Sequence, residues 1–248
     1  MSTTAWILTV GFTALVLLGV PFAFAIALSV IAVLLFVGIE PMLLPQTLIA
    51  GTQSFSLLAI PFFMLAGELM NAGGLSRRIV ALPMALVGHM RGGLAQVNVV
   101  DSMMFAGISG SAVADVSALG AMLIPAMEKE GYTRRFAAGI TAASAIIGPI
   151  IPPSGIMIIY AYVMGESVAA LFLAGIVPGI LIGISLMVMI RLLANHYDLP
   201  AATKRASWRD RGRAMIGAFW PLLTPVIIMG GILGGVFTPT EAAAIAAG

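Results

Sequence analysis

The sequence has no cysteine and few charged residues. Its 248 residues include 12 Lys and Arg and 10 Asp and Glu, so only 9% are charged, whereas 60% are hydrophobic. The absence of cysteine excludes disulfides, thiolate metal sites and cysteine nucleophiles. A net charge of +2 leaves no basic face that could neutralise phosphates, which excludes nucleic-acid binding as the main function. Because soluble domains carry roughly 25% charged residues, the composition predicts an all-α polytopic membrane protein.

Long uncharged runs divide the chain into apolar segments. The first run is interrupted at Gly19-Val20-Pro21, and proline disfavours helix continuation. This predicts two short spans, at 5–19 and 21–38, with one long kinked span as the alternative. A third span is predicted at 47–70. Further apolar segments lie at about 93–126, 137–163, 168–190 and 215–236, and a last one begins at about Thr240.

The basic residues cluster in three connections. These are Arg77, Arg78 and Arg91; Lys129, Arg134 and Arg135; and the 191–213 connection, which includes Lys204. The positive-inside rule places all three connections on the cytoplasmic side. Segment 93–126 has basic connections at both ends, so it enters and leaves the membrane on one face. It is too short for two spans of about 20 residues each, which predicts a re-entrant helical hairpin.

Two of these connections have compositions of their own. The connection 71–92 mixes arginines with apolar residues, which predicts a helix lying along the membrane interface. Pro83 is expected to bend or shorten that helix. The connection 191–213 is polar and is predicted to be a cytoplasmic loop.

The first candidate functional segment lies near the middle of the predicted hairpin. Gly107, Ser109, Gly110 and Ser111 follow one another closely there, and these residue types favour a turn over a helix. Asp115 follows one helical turn later. A carboxylate at membrane depth is costly unless it is compensated. Asp115 therefore either holds the hairpin tip or faces a cavity for an ion and a solute.

The second candidate segment is Gly148-Pro149-Ile150-Ile151-Pro152-Pro153-Ser154-Gly155, in the middle of the 137–163 span. Its three prolines cannot remain helical, and they deprive the carbonyls of Ala145, Gly148 and Pro149 of their donors four residues on. An unpaired carbonyl in hydrocarbon costs several kcal/mol. Such a break is stable only against protein or a water-filled cavity.

Two helix breaks facing each other suggest what they bind. Helix C-termini and unwound carbonyls attract a cation, whereas helix N-termini attract an anion. The breaks could therefore bind a small monovalent cation together with an anionic solute. Carbonyl and hydroxyl oxygens suit Na⁺. The alternative is that both breaks are packing features of a non-transporting membrane scaffold subunit.

A serine protease is a remote alternative. Gly107-Ile108-Ser109-Gly110 fits the G-x-S-G pattern of rhomboid-type intramembrane proteases, whose serine needs a histidine base at the same depth. His89 and His196 both fall in basic connections, so we expect the protein not to be an enzyme. Glu68 and Asp101 are expected to be structural, near predicted interfaces.

At these motifs the sequence resembles the large membrane subunit of tripartite ATP-independent periplasmic (TRAP) transporters. The matching stretches cover most of the chain in the family's order. They are Ser54 to Phe63, Ala66 to Leu75, Ser109 to Asp115, Gly148 to Ser154, and Phe237 to Ala242.

The resemblance implies a bacterial inner-membrane, multi-pass permease that imports carboxylates such as C4-dicarboxylates and sialic acids with Na⁺. Its expected partners are a periplasmic binding protein and a small four-helix membrane subunit. The implied fold is of the elevator type, built from two inverted repeats. Residues 1–92 would form scaffold spans and an interfacial arm, 93–167 half of the transport domain, 168–236 further spans, and 237–248 the start of the second repeat. Since Gly248 lies just inside that repeat, we expect the chain to be a fragment of a longer permease, or the rest to be encoded elsewhere.

The resemblance also implies the site residues. The Na⁺ ligands would be Ser109, Ser111, Gly148, Ile151 and Pro153, largely through their main-chain carbonyls. We expect Gly110, Asp115 and Ser154 to line the solute site. Na⁺ would act as the coupling ion, with no other cofactor.

Overall fold

The structure, a computed structural model, describes residues 3–200 and 205–247, without the side chains of Asn71 and residues 75–78. The described residues form twelve α-helices and one 3-10 turn, and no strand occurs among them. The predicted all-α class is therefore confirmed. Lys204, one of the basic residues predicted to be cytoplasmic, lies outside the described residues, and so do the side chains of Arg77 and Arg78.

Residues up to Ser54 form one compact unit. Its helices are α1 (Thr3–Leu17), α2 (Phe22–Val37) and α3 (Leu43–Thr52). The chain reverses between α1 and α2 at Gly19, whose φ of +82° is accessible to glycine at little cost. The rings of Phe12 and Phe22 then meet edge to face at 5.0 Å. The two-helix prediction for residues 5–38 is therefore confirmed over the single kinked helix.

The segment predicted as a span at 47–70 is interrupted, although its two helical parts together are long and apolar enough to cross a bilayer. Helix α3 ends at Thr52, a 3-10 turn follows at Phe55–Leu58, and the next helix begins only at Ala59. Ser54, which lies between them, is a weaker helix former than leucine. The Thr52 hydroxyl also donates to the carbonyl of Ile49 at 2.9 Å, a local bond of the kind that competes with helix continuation.

Residues from Phe55 onward form the second compact unit. Its helices are α4 (Ala59–Ala72), α5 (Leu75–Val87), α6 (Gly93–Ser109), α7 (Ala112–Lys129), α8 (Arg134–Ala145), α9 (Gly155–Met164), α10 (Val168–Leu193), α11 (Trp208–Leu233) and α12 (Pro239–Ala247). Helix α6 is central: most of its residues are buried, and it packs against α4, α5, α7, α8, α10 and α11. Helices α10 and α11 are each long and apolar enough to cross a bilayer.

Helices α6 and α7 form an antiparallel hairpin. Phe105 of α6 packs against Leu119 and Leu123 of α7, and all three side chains are buried. Ser109 and Asp115, which lie nearer the turn, are also paired across it. The turn lies at residues 110 and 111, between the end of α6 and the start of α7, within the segment where the sequence predicts it.

Two boundaries differ from the predictions. Helix α5 runs through Pro83 to Val87 instead of ending early, because its buried face packs against α6 and α11 and compensates for the lost hydrogen bond. The 191–213 connection is shorter than predicted, since α10 extends to Leu193 and α11 begins at Trp208. Ser207 and Asp210 form a capping box that starts α11.

Candidate functional site

The tip of the α6–α7 hairpin is a two-residue turn. Gly110 adopts a left-handed conformation with φ +57°, and its N–H donates to the carbonyl of Ala106 at 3.0 Å. Ser111 is extended, and its hydroxyl accepts from the N–H of Ala114 at 3.4 Å, which caps α7. Glycine ends one helix and serine begins the next, so the local sequence accounts for the turn.

Asp115 holds the tip together. The Ser109 hydroxyl donates to Oδ1 of Asp115 at 2.6 Å, and the Ser111 N–H lies 3.4 Å from the Ser109 oxygen. Asp115 is completely buried, and its Oδ2 has no hydrogen-bond partner among the described residues. One carboxyl oxygen thus stabilises the turn and the other remains available.

The second break extends over residues 146–154, between α8 and α9. The chain coils tightly after α8, because the N–H of Gly148 donates to the carbonyl of Ala145 at 3.0 Å. The prediction that the Ala145 carbonyl is unpaired is therefore wrong, since a turn three residues long replaces the lost helical bond. The carbonyls of Gly148 and Pro149 accept no hydrogen bond from any described residue, as predicted. Ser154, which precedes α9, is completely buried, and its Oγ has no described partner.

The two breaks face each other at backbone contact distance. A Cβ added at Gly110 would overlap the carbonyl oxygen of Pro153 and lie 2.9 Å from the Cα of Ser154. A Cβ added at Gly148 would lie 3.0 Å from Oδ2 of Asp115 and 3.1 Å from the carbonyl carbon of Ser111. Glycine at both positions permits this approach, so the predicted juxtaposition of the two breaks is confirmed.

The residues singled out from the sequence converge at this contact, with one distinction. Ser109, Gly110, Ser111 and Asp115 come from the hairpin, and Gly148, Pro153 and Ser154 from the break. The Ile151 side chain instead packs against Gly179 of α10. Ile151 can therefore contribute to a site at the tip through its main chain but not through its side chain.

Glu68 was not predicted to belong to this region. A small cavity of about 80 Å³ beside the tip is lined by Met64, Gly67, Glu68, Phe105, Ser109, Ser111 and Ala114. Helix α4 approaches closely at Gly67, where an added Cβ would lie 3.6 Å from the Cα of Ser109. The signal in the sequence was that Glu68 is the only acidic residue between residues 41 and 100, because isolated carboxylates in apolar spans mark functional sites.

A buried polar network ties the hairpin to α8 and was also not predicted. The Asn98 side-chain amide donates to the hydroxyl of Thr141 at 2.7 Å, and the Ser144 hydroxyl donates to the Asn98 oxygen at 3.2 Å. The Ser102 hydroxyl donates to that of Ser144 at 2.9 Å. The sequence indicates this network only by spacing: its polar residues are four apart on α6 and three apart on α8, so each pair lies on one helix face. The network fixes the hairpin arm against the helix that leads into the break.

Asp101 is completely buried in α6, and neither of its carboxyl oxygens has a described hydrogen-bond partner. Helix α6 is enclosed by other helices, which accounts for this burial, and the expected position of Asp101 near a membrane interface stays a prediction. Among the described residues, no group of three or more His, Asp or Glu side chains could hold a metal ion. A cation at the tip would therefore have to be held mainly by carbonyl and hydroxyl oxygens.

Comparisons with known proteins agree in pointing to one family. The family described as "Tripartite ATP-independent periplasmic transporter, DctM component" matches residues 9–248. A 2,3-diketo-L-gulonate TRAP transporter large permease protein of Escherichia coli is 48% identical over 231 residues, which are 93% of this chain and 54% of that protein.

Two relatives from Vibrio cholerae are similar to the same extent. A sialic acid TRAP transporter large permease protein is 44% identical over 238 residues, 95% of this chain and 55% of that protein. A C4-dicarboxylate TRAP transporter large permease protein is 43% identical over 244 residues, 98% of this chain and 53% of that protein. The chain thus spans about half the length of the curated relatives it matches. All three relatives are named as permeases, which points to a protein that is not an enzyme.

Proposed function

Because this chain belongs to the DctM component family of tripartite ATP-independent periplasmic transporters, we propose that it acts within a large permease subunit that imports an organic acid by Na⁺ symport. The chain matches about half of each relative, consistent with an N-terminal half. The single observation that carries the proposal is the backbone contact between the hairpin tip at Gly110 and the break at Pro153.

The groups at this contact suit a cation. The carbonyls of Gly148 and Pro149 and Oδ2 of Asp115 are acceptors without a described donor. Leaving such groups unpaired in a low-dielectric environment is costly, and a cation would satisfy several at once. We assign the Na⁺ ligands to Ser109, Ser111, Gly148, Ile151 and Pro153, largely through their main-chain carbonyls.

The same region offers donors for a carboxylate. Helices α7 and α9 both begin at this contact, and the N–H groups of Ala112 and Val113 in the first turn of α7 have no described acceptor. The Ser154 hydroxyl is buried and has no hydrogen-bond partner among the described residues. In our proposal the solute carboxylate binds these donors, beside Gly110 and Asp115, once the cation has fixed the tip.

Glu68 would attract the cation before it reaches the carbonyls. Its carboxylate lines the same small cavity as Ser109 and Ser111. That cavity is large enough for a cation or a few water molecules. A carboxylate there would raise the local cation concentration without being required in the final coordination.

The proposed arrangement in the membrane follows from the charge distribution. The basic connections on both sides of α6–α7 favour a re-entrant hairpin in the bacterial inner membrane. The transport domain, including residues 93–167, would move against a scaffold in an elevator motion. A small membrane subunit and a periplasmic binding protein that delivers the solute would complete the transporter.

The first experiment measures Na⁺ binding without any solute. The purified protein should melt at a higher temperature in NaCl than in KCl, because a ligand at 100 times its Kd stabilises a protein by about 2.7 kcal/mol. Ser111→Leu should remove this difference by filling the tip, whereas Ser185→Ala, on the exposed face of α10, should keep it. Alanine at Ser111 is a weaker test, because a main-chain ligand would survive it.

The second experiment measures transport. The complete transporter in proteoliposomes should take up a labelled C4-dicarboxylate or sialic acid only with an inward Na⁺ gradient. If Na⁺ neither stabilises the protein nor drives uptake of any tested acid, the breaks are packing features and the alternative of a non-transporting scaffold subunit is favoured.

A further inference from the structure

A groove of about 550 Å³ opens between the start of α8 and the end of α10. It lies away from the hairpin tip and plays no part in the proposed transport site. Thr133, Arg135 and Tyr197 line its polar end, and Ile140, Met189 and Leu193 line its apolar end. A groove with one charged end and one apolar end fits an amphipathic ligand.

The polar end carries a positive charge without a partner. Arg134 lies 3.9 Å from Glu128, but Arg135 has no carboxylate within 4.0 Å among the described residues. The Thr133 hydroxyl accepts from the N–H of Phe136 at 3.3 Å, and the Phe136 ring lies 5.5 Å from that of Tyr197. These contacts fix the mouth of the groove around a guanidinium that can bind an anion bidentately.

The apolar end continues along the helices. From Arg135 to Ala143 the groove follows α8 for about 12 Å, at 1.5 Å per residue. Gly139 lies in this stretch, and a Cβ added there would meet nothing within 4 Å, so the floor is open. The neighbouring α10 side chains Val188 and Leu192 are 51% and 74% exposed, as expected for a surface facing hydrocarbon.

We propose that this groove binds one anionic phospholipid of the cytoplasmic leaflet, with its phosphate on Arg135 and an acyl chain over Gly139 and Ile140. The polar end of the groove adjoins two connections that the positive-inside rule places in the cytoplasm, where anionic headgroups lie. Basic pockets between membrane helices bind such headgroups. A free soluble anion would use Arg135 but would leave the apolar floor unoccupied.

The test is native mass spectrometry of the purified protein in detergent with added phosphatidylglycerol or phosphatidylcholine. Wild type should retain one phosphatidylglycerol in preference to phosphatidylcholine. Arg135→Gln should lower phosphatidylglycerol retention about fivefold, the effect of one basic residue near an anionic lipid surface. Arg134→Gln is the matched control, since Arg134 does not line the groove, and it should retain the lipid as wild type does.

A second variant tests the apolar end independently. Gly139→Phe should fill the floor and reduce retention of both lipids, whereas Gly217→Phe, at an equally open position on α11, should not. Equal losses in the Arg134 and Arg135 variants would overturn the proposal, because attraction would then be non-specific. Full lipid retention in Gly139→Phe, or a second protein chain cross-linked into the groove in place of lipid, would overturn it as well.

Discussion

Replacing Gly110 by alanine tests the contact on which the proposed transport site depends. The left-handed φ of +57° costs an L-residue roughly 1–2 kcal/mol. The new methyl group would also overlap the Pro153 carbonyl and crowd the Cα of Ser154 at 2.9 Å. Overpacking of this kind costs about 1–3 kcal/mol. The overpacking cost affects the cation site directly, because the hairpin tip has to move away from the break to make room for the methyl group.

Gly165→Ala is the matched control. Gly165 also ends a helix with a left-handed φ of +70°, but a Cβ added there would meet nothing within 4 Å. The two variants therefore share the backbone cost and differ only in the contact with the break. Any difference between them measures the approach of the tip to Pro153.

The assay is a titration of the melting temperature with NaCl at constant ionic strength, which yields an apparent Na⁺ affinity. We expect Gly165→Ala to keep the wild-type affinity. Gly110→Ala should weaken it between about fivefold and about 150-fold, the equivalent of 1–3 kcal/mol. If both variants melted lower but bound Na⁺ equally well, the contact between the two breaks would have no part in cation binding and the reasoning would be refuted.

Three further predictions follow from other contacts. Glu68→Gln should raise the Na⁺ concentration for half-maximal uptake several-fold and leave the maximal uptake rate unchanged. Glu166→Gln, in an exposed connection, should change neither value. An unchanged Na⁺ dependence in Glu68→Gln would exclude Glu68 from the cation path. Asn98→Leu should lower the free energy of unfolding by about 1–3 kcal/mol, because Thr141 and Ser144 lose their buried partner. Thermal denaturation in detergent measures this, and a wild-type melting temperature would contradict it. Ser207→Ala should cost about 1 kcal/mol locally and speed amide exchange in the first turn of α11, and unchanged exchange would mean that the cap does not hold that turn.

The parts of the fold that sequence predicts best are those set by single residues. Glycine and proline fix the backbone locally, so the turn at Gly110 and the break around Pro152 could be located without any knowledge of packing. At Pro83, by contrast, the helix α5 is not shortened, because two neighbouring helices stabilise it. Local chemistry predicts where a helix is weak, whereas packing determines whether it ends there.

The site was predictable only where its residues are adjacent in sequence. The hairpin and the break each form from one short stretch, and the unpaired carbonyls and the family resemblance were what suggested that they meet. Glu68 and Asn98 belong to the region through contacts made by α4 and α8, and residues far apart in sequence give no local signal of such contacts. Their polarity within apolar helices marked them as unusual but not as neighbours of the tip.

The hydrogen bonding at the tip bears on what binds there first. Because the Ser109 hydroxyl donates to Asp115, its remaining lone pairs can only accept, and the Gly148 carbonyl has no described donor. These acceptors repel a carboxylate until a cation lies among them. The donors at the start of α7 lie at the same turn, so a cation on the acceptors would also strengthen the attraction of those N–H groups for an anion. Under the proposed function we therefore expect Na⁺ to bind before the solute, because the acceptors that attract a cation repel a carboxylate.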